Sequence, residues 1–479
     1  MASANEDAAA VLREYAELLA ITGGDQFRAR NYEKAAKVVA GYPGDLAAVP
    51  DAALTRIPGV GTSIAGKIIE FRRTGTVAAV DALRAKIPPG VLQIAKVPGL
   101  GPRKALQLSR ELDIASVADL EAAVRSGRLR GLSGFGARSE ERILRSIEVI
   151  TRDQPLRDAL RALPPAATAE QIQAALATWW EITARGAERE PDVARAAGIT
   201  AAGGEPRSHA LVRAKDLRGD LHTHTSLTDG VASLADMVAA AAARGYEYYA
   251  VTDHAPNLVM QRMTDEKMLA QRAELSELGA GGMTLLHGTE LNIAPDGSVD
   301  WDADFLAGFD ICVASVHSHF GQDREDVTAR FVEAAENPYV NIIGHPVTRK
   351  LGRRPPVDVD LNALFDACAR TGTALEINAS PARMDLPPEH IGAAKARGVT
   401  FAIDSDAHSI GDLGNAPYGV AAARFGGLTP DDVINAWPLS RLREFLAKGR
   451  SPRRLLTSSI WGGDRRANAG TRGCLRGRC

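Results

Sequence analysis

The residues best suited to chemistry are concentrated in one stretch of this sequence. All ten histidines lie between His209 and His408. Histidines and carboxylates recur there at the ends of short apolar runs, and some are two positions apart, such as His222 and His224. Side chains two apart on a strand face the same side, so such pairs converge. Mixed imidazole and carboxylate ligands suit Zn, Mn or Fe, and the pattern therefore predicts a metal site.

The candidate ligands outnumber those that one ion can take. They are His222, His224, Asp229, His254, Glu290, His317, His345, Asp406 and His408. One ion takes about four to six ligands, so two or three divalent ions (Mn, Zn or Fe) are expected. Such a cluster clamps a phosphate and lowers the pKa of a bridging water. The predicted chemistry is phosphoester hydrolysis with a metal-bound hydroxide as nucleophile, although any single histidine is more often a core residue.

Short apolar or β-branched runs must position these ligands. They are residues 217–223, 248–253, 284–287, 311–317, 340–344, 374–377 and 399–403, with helical periodicity between them. This alternation predicts a parallel β/α barrel, in which functional residues collect at the carboxyl ends of the strands.

The region before the barrel has a different texture. Residues 6–150 predict many short helices and no strands. Three Gly-x-Gly turns recur there, formed by Gly59 and Gly61, Gly99 and Gly101, and Gly134 and Gly136. Basic residues follow each turn, namely Lys67, Arg103 with Lys104, and Arg138. Glycine allows close backbone approach and a helix start favours an anion, so the repeats predict helix-hairpin-helix binding of DNA.

The motifs of the second half resemble those of the polymerase and histidinol phosphatase (PHP) domain. They are DLHTHTSLTDG at 220–230, VTDH at 251–254, GTE at 288–290, ASVH at 314–317, IGHP at 343–346 and DSDAH at 404–408. The resemblance implies a multidomain chain, with an all-α helix-hairpin-helix region followed by a distorted (β/α)7 TIM-like PHP barrel. It also implies three ions. The first is held by His222, His224 and Asp406, the second by His317 and His345 with Glu290 bridging, and the third by Asp229, His254 and His408.

Other segments resemble bacterial family X DNA polymerases. Residues 26–73 resemble their small amino-terminal domain, 92–147 the fingers region that follows, and 376–383 (EINASPAR) the PHP domain fused to them. The resemblance makes Lys67 a candidate for a Schiff base with an abasic sugar, with a phosphate contact as the favoured alternative. Arg349 is a candidate phosphate contact or a surface ion pair.

Three further residues near the motifs are expected to have roles other than metal binding. Asp253 and Asp404 are expected to orient ligands rather than to bind metal. His319 stands where the family usually has a small residue, and a contact with metal or substrate is the minority interpretation.

A family X polymerase also needs a palm domain whose three carboxylates include an Asp-x-Asp pair. Residues 151–215 contain no such pair and are too few for a palm and thumb. The palm is therefore interpreted as missing, and no polymerase activity is predicted. The expected domains are 1–80 (first hairpin, small-domain-like), 81–150 (fingers-like tandem hairpins), 151–215 (connector or palm and thumb remnant), 216–440 (PHP barrel) and 441–479 (basic, disordered tail).

The net charge of −2 conceals segments of opposite sign. Residues 1–150 carry +4, residues 216–440 carry −16 and residues 441–479 carry +9. The positive segments are expected to hold DNA and the barrel to repel it. The four cysteines have no C-x-x-C spacing, and neither a signal peptide nor a long apolar segment is present, so a cytoplasmic, nucleoid-associated protein with no membrane partner is expected.

These observations predict a DNA-binding, metal-dependent phosphoesterase that acts in repair. It would be a 3′–5′ exonuclease, a 3′-phosphatase or an abasic-site endonuclease, acting at DNA ends, gaps or abasic sites. The open alternatives are a small-molecule phosphatase of the histidinol-phosphatase type, a non-catalytic DNA-binding scaffold, and an active family X polymerase/exonuclease. Neither the metal nor the oligomeric state follows from the sequence.

Overall fold

The computed structural model describes residues 4–42, 44–88, 90–164, 166–184 and 211–448. All regular structure in the described residues before 185 is helical. The α-helices there are α1 (Ala4–Ile21), α2 (Gln26–Ala40), α3 (Thr62–Thr74), α4 (Ala78–Arg84), α5 (Val91–Ala95), α6 (Gly101–Leu112), α7 (Val117–Arg125), α8 (Ala137–Arg161) and α9 (Ala169–Ala184).

The helices α1 to α7 and the first part of α8 surround two hydrophobic cores. The first core includes Leu12 of α1, Val39 of α2 and Ile68 of α3. The second includes Leu108 of α6 and Ile143 of α8. Each predicted Gly-x-Gly turn ends where a helix begins. Its first glycine adopts a positive φ that L side chains avoid, as at Gly59 (φ 79°), and this conformation allows the tight turn.

The segment interpreted as a connector or palm and thumb remnant packs on the barrel. Leu156 near the end of α8 and Leu176 and Trp179 of α9 belong to the same core as the barrel. Trp180 meets the ring of Phe425 edge-on at 6.0 Å, and Arg424 Nε donates to Gln173 Oε1 at 2.8 Å. The described part of 151–215 thus forms an outer layer of the barrel.

The barrel consists of parallel strands in sequence order. They are β1 (Gly219–Asp220), β2 (Tyr248–Val251), β3 (Thr284–Asn292), β4 (Ile311–Ser315), β5 (Ile342–Ile343), β6 (Ala374–Asn378) and β7 (Phe401–Asp404). A parallel bridge between Thr223 and Ala407 brings the first and last strands together, so the seven-stranded barrel is nearly closed.

Side chains of the strands alternate between the inside of the barrel and its outer layer, as period-two geometry requires. In β4, Ile311 and Val313 belong to the inner core, whereas Cys312 and Ala314 belong to the outer core. The outer layer is formed by α10 (Leu234–Ala243), α11 (Asp265–Glu277), α12 (Ala303–Leu306), α13 (Arg324–Glu336), α14 (Leu361–Thr371), α15 (Pro388–Ala396), α16 (Ala416–Phe425) and α17 (Leu439–Leu446).

The structure confirms the predicted fold class, an all-α region followed by a (β/α)7 barrel. It corrects the start of the tail expected from residue 441, because Leu442 and Leu446 of α17 are buried in the inner core. Residues 449–479 lie outside the described part of the chain. None of the described helices has the length and apolar composition that crossing a membrane requires.

The packing of α9 yields a stability prediction. Trp179 is 2% exposed and its Nε1 donates to Arg152 O at 3.3 Å. Trp179→Ala should lower the free energy of unfolding by about 3–5 kcal/mol, because it leaves a cavity under the barrel. Urea unfolding followed by circular dichroism measures this change. The neighbouring exposed Thr178→Ala should change it by less than about 0.5 kcal/mol, and equal effects of the two substitutions would contradict the packing.

Candidate metal centre

The carboxyl ends of the strands bring all nine candidate ligands to one face of the barrel. His222 and His224 follow β1, with Asp229 in the same loop, and His254 follows β2. Glu290 lies within β3. Of the remaining ligands, His317 follows β4, His345 follows β5, and Asp406 and His408 follow β7.

Glu290 stands at the middle of this cluster. Its side chain is 1% exposed, and its Oε1 lies 3.1 Å from His317 Nε2 and 3.0 Å from His345 Nε2. Its Oε2 lies 2.8 Å from His254 Nδ1. The Nε2 atoms of His222 and His224 are 3.4 and 3.6 Å from the same carboxylate. One carboxylate therefore faces five imidazoles.

Asp406 and Asp229 anchor the other two parts of the cluster. Asp406 Oδ1 lies 3.2 Å from His224 Nε2 and 3.8 Å from His222 Nε2. Asp229 Oδ1 lies 3.3 Å from His254 Nε2 and 3.2 Å from His408 Nε2. Three sets of ligand atoms each lie within 4.8 Å of one another: His222, His224 and Asp406; His254, Glu290 and His317; and His224, Asp229, His254 and His408.

The donor set fits divalent metal ions. His222 Nδ1 lies 2.7 Å from Glu376 Oε1, and its Nε2 lies only 3.2 Å from His224 Nε2. Two ring nitrogens this close repel each other when both carry lone pairs, and a shared cation removes the repulsion. The Nδ1 atom of His224 is buried without a hydrogen-bond partner in the described structure. A metal ion that takes nitrogen and oxygen ligands would supply the missing partner.

The electrostatics also call for positive charge at the centre. Burial raises the pKa of Glu290, but the imidazoles of His317, His222 and His254 outweigh that effect and hold the pKa well below its usual range. Burial lowers the pKa of His254, and the carboxylates of Glu290 and Asp229 reverse this and raise it to about 10. Bound divalent ions would supply this positive charge in place of protons on His222 and His254.

Two of the candidate ligands occupy strained backbone conformations. Asp406 has a φ of 51° and His345 a φ of 29°. Each such conformation costs on the order of 1–3 kcal/mol in a residue other than glycine. His345 is held in place by its N–H, which donates to Glu376. The same carboxylate that orients His222 therefore also supports His345.

Residues outside the ligand set hold the ligands in position. His317 Nδ1 lies 2.8 Å from Asn292 Oδ1, and Asn292 Nδ2 donates to Asp300 Oδ2 at 3.1 Å. Asp253 accepts hydrogen bonds from Thr225 Oγ1 and Gln271 Nε2, both at 2.6 Å. It orients the loop that carries Asp229, the positioning role that the sequence predicted.

Asp404 and His319 also lie away from the ion-binding atoms. Asp404 is buried, and its Oδ1 accepts from Leu221 N at 2.9 Å, beneath the ligands. His319 is exposed and its Nδ1 lies 2.9 Å from Ser318 Oγ. The sets of ligand atoms found in the described residues do not include it, so a role as a ligand has no support.

The structure overturns Arg349 as a phosphate contact. Its side chain is fully buried, and its Nε donates to the backbone oxygens of Arg383 and Met384 at 3.0 and 3.1 Å. Arg349 braces the loop after β5 and cannot reach a substrate. Arg383 faces the centre instead, with its Nε 3.3 Å from Asp406 Oδ2 and a buried Nη1 without a partner in the described structure.

Sequence reasoning assigned no role to Arg383, Glu376 or Asn292. The first two stand in the EINASPAR motif, which was the available signal for them. Nothing in the spacing of Asn292 indicates that it orients a ligand.

The predicted DNA-binding turns are displayed on the surface of the helical region. Gly59, Gly99 and Gly134 are exposed and have φ values of 79°, 87° and 84°. Gly61, Gly101 and Gly136 stand at the starts of α3, α6 and α8. Arg103 and Arg138 are exposed near those starts.

The two lysines of these helices rest on aromatic rings. The Lys104 ammonium lies 5.2 Å from the ring of Phe135. The Lys67 ammonium lies 4.5 Å from the ring of Tyr15 and 5.2 Å from that of Tyr32. Ammonium groups are attracted electrostatically to aromatic faces in this way. The lyase role of Lys67 stays an untested prediction.

Comparisons with known proteins agree with this architecture. Residues 3–77 match a helix-hairpin-helix domain, 91–148 a SAM-like helix-hairpin-helix tandem, and 220–380 a PHP domain. Asp406 and His408 lie beyond the matched PHP residues, although they belong to the same barrel.

Relatives of known name cover different parts of the chain. The DNA polymerase/3′-5′ exonuclease PolX of Bacillus subtilis (strain 168) is 28% identical over 573 aligned residues, 92% of this chain and 99% of that protein. A "Probable phosphatase" of Thermoanaerobacter sp. (strain X514) is 28% identical over 47% of this chain and 93% of its own length. A solved histidinol phosphate phosphatase from Lactococcus lactis is 18% identical, covers 43% of this chain and 93% of that chain, and has a TM-score of 0.30.

The barrel, the matched PHP domain and the convergent ligands define a metal-dependent hydrolase. In front of that domain the chain carries tandem helix-hairpin-helix domains. This order of domains matches that of a bacterial family X DNA polymerase-like protein.

Metal removal tests the donor set. Treatment with EDTA should lower the thermal midpoint, because ions that bind only the folded state stabilise it by about 2.7 kcal/mol at one hundred times their Kd. Added Mn²⁺ or Zn²⁺ should restore the midpoint, as differential scanning fluorimetry can show. His222→Ala should weaken the response, whereas His319→Ala should keep it. An identical response of the two variants would place the ions elsewhere.

A second prediction concerns the carboxylate behind His222. Glu376→Gln keeps the size of the side chain but removes the charge that orients two ligands, and it should weaken metal affinity by about 10–100-fold. Titration against a competing chelator dye measures the affinity. The exposed Asp358→Asn serves as a charge-matched control and should leave the affinity unchanged. Wild-type affinity in Glu376→Gln would refute the positioning role.

Proposed function

We propose that this protein is a metal-dependent 3′–5′ exonuclease that removes nucleotides from DNA ends during repair and that it does not synthesise DNA. The observation that carries the proposal is the convergence of nine candidate metal ligands at one face of a barrel that follows tandem helix-hairpin-helix domains. Eight of them lie in close sets of ligand atoms, and His345 lies beside Glu290. The exonuclease activity in the name of the Bacillus subtilis relative supports the same choice.

The residues of the centre suit attack on a phosphodiester. Divalent ions bound by this set would activate a water near neutral pH and neutralise the phosphate. Asp229 and His408 are the most open members, with side chains 26% and 27% exposed, so substrate enters on their side. Arg383 is placed to bind a phosphate oxygen, because its side chain is 13% exposed and its Nε lies 3.3 Å from Asp406 Oδ2. Glu376 and Asn292 keep two imidazoles oriented.

Several observations argue against polymerase activity. Asp153, one of the few carboxylates of 151–215, is buried next to Arg349 and Gly352 of the barrel. The 573 aligned positions of the Bacillus subtilis relative exceed the 479 residues of this chain, so part of that protein has no counterpart here. A missing palm accounts for both facts.

The two Asp-x-Asp pairs inside the barrel serve other purposes. Asp302 accepts from Phe305 N at 3.0 Å and so caps α12. Asp360 accepts from Asn362 N at 3.0 Å and so caps α14. Asp358 pairs with Arg324 at 3.1 Å. None of these carboxylates is free to hold the magnesium ions of a polymerase.

A small-molecule phosphatase is the second candidate function. The Thermoanaerobacter protein, whose name describes a phosphatase, matches over 47% of this chain. That match does not account for the helix-hairpin-helix domains, which a phosphatase of small substrates does not need.

A nuclease assay separates these functions. The purified chain with Mn²⁺ should shorten a 5′-labelled strand in a primer-template from its 3′ end, as a denaturing gel shows. Added deoxynucleotides should give no extension, because residues 151–215 contain no Asp-x-Asp pair to hold the magnesium ions of a polymerase. His222→Ala should lower the rate by at least about 100-fold, since it removes a metal ligand, whereas His319→Ala should retain activity.

Each other outcome identifies a different function. Extension of the primer would refute the absence of polymerase activity. Release of phosphate from histidinol phosphate without shortening of DNA would favour the small-molecule phosphatase. Binding of DNA without hydrolysis of either substrate would favour the scaffold.

A further inference from the structure

Basic residues follow one side of α2. Arg30, Lys34 and Lys37 are spaced by four and three positions, so they lie along one side of the helix. All three are exposed. No ion pair in the described part of the chain uses them. We refer to these three residues as the α2 stripe.

The α2 stripe ends at the rim of the metal centre. One turn beyond Lys37, Gly41 donates its N–H to Lys37 O at 3.0 Å. A Cβ atom on Gly41 would lie 2.5 Å from Ser409 Cβ, so the end of the helix touches the loop after β7. Ser409 directly follows the candidate ligand His408. From Arg30 to Lys37 the stripe rises about 10 Å, which spans about three phosphates at the axial spacing of a duplex strand.

The loop after β5 adds basic residues at the same rim. Its Leu351 N donates to Ala382 O at 2.8 Å, which fastens the loop to the turn that carries Arg383. Lys350 is exposed, and Arg354 lies with its guanidinium 4.1 Å from the ring of Phe320. These side chains present positive charge although the barrel as a whole is acidic.

The charges of the helix and of the barrel act on one another. Desolvation by surrounding protein lowers the pKa of Lys350, although its side chain still reaches solvent, and the charges of Arg383, Arg354 and Lys37 lower it further. Four positive groups from two parts of the chain therefore gather beside the ligands. Two carboxylates lie near these groups. The charge of Asp406 raises the pKa of Lys350, and Asp412 accepts from Ser409 Oγ at 2.8 Å and from His408 N at 3.2 Å.

We propose that the α2 stripe, Lys350, Arg354 and Arg383 form one channel that binds the phosphates of a single nucleic-acid strand and leads its end to the metal centre. This inference rests on the proposed function and specifies a polymeric substrate with several phosphates on one side of the scissile bond. A single strand fits because the centre is buried apart from the side of Asp229 and His408.

Binding without turnover tests the channel separately from the nuclease activity. The full chain in EDTA is titrated with a fluorescent 12-nucleotide single strand, and anisotropy is recorded at several salt concentrations. The double variant Lys34→Glu/Lys37→Glu should bind at least about tenfold more weakly at 0.1 M salt. Its slope of log K against log salt should be shallower by about 1.4, since each lost phosphate contact removes about 0.7.

A matched control removes the same charge elsewhere. Lys86 and Lys215 are exposed, the first in the helical region and the second before β1, at the opposite end of the barrel. Lys86→Glu/Lys215→Glu should keep its affinity within about threefold. Equal losses in both double variants would show a net-charge effect and overturn the channel, as would an unchanged salt slope in Lys34→Glu/Lys37→Glu.

Two checks keep the result interpretable. Lys34→Gln/Lys37→Gln, which is milder, should show the same direction of change if charge reversal prevents folding. A wild-type chain that binds the strand through the α2 stripe but never shortens it would refute the proposed exonuclease and leave the channel standing.

Discussion

Five imidazoles converge on the two oxygens of Glu290, a carboxylate buried in the middle of β3. An ionised carboxylate away from water costs several kcal/mol unless partners compensate for the lost hydration. Those partners come from the ends of β1, β2, β4 and β5, which are distant in sequence. A parallel barrel places all of its carboxyl ends at one face, and this arrangement is what allows residues from so many strands to meet a single carboxylate.

Convergence alone does not make a metal centre, because each ring must also present the correct nitrogen. Glu376 contacts Nδ1 of His222, and Asn292 contacts Nδ1 of His317. These contacts leave the Nε2 atoms of both rings to face the ions. Partners of this kind typically affect metal affinity as strongly as 10–100-fold. The positive φ values of His345 and Asp406 show that the backbone is also held in conformations it would otherwise avoid. Ligand geometry here is maintained by the surrounding fold.

The sequence predicted the barrel and the gathering of its ligands, since apolar runs and the chemical residues that follow them are both local patterns. It did not distinguish Arg349 from Arg383, because which arginine faces the centre depends on how two loops bond to each other. It also did not predict which surface α9 packs against. An amphipathic helix shows that one face is buried, yet the surface that buries it is decided by tertiary packing.

The same limit applies to charge. A net charge of −16 over residues 216–440 suggests a barrel that repels DNA, but a bound strand responds to the field near it. Charges beyond about 10 Å are largely screened at 0.1 M ionic strength, and a cleft lined with one sign concentrates its own potential. The carboxylates of the centre face imidazoles, others cap helices, and the rim carries Lys350, Arg354 and Arg383. The charge beside the metal centre is therefore positive, whereas the average charge of the barrel is negative. The α2 stripe extends this positive charge away from the barrel.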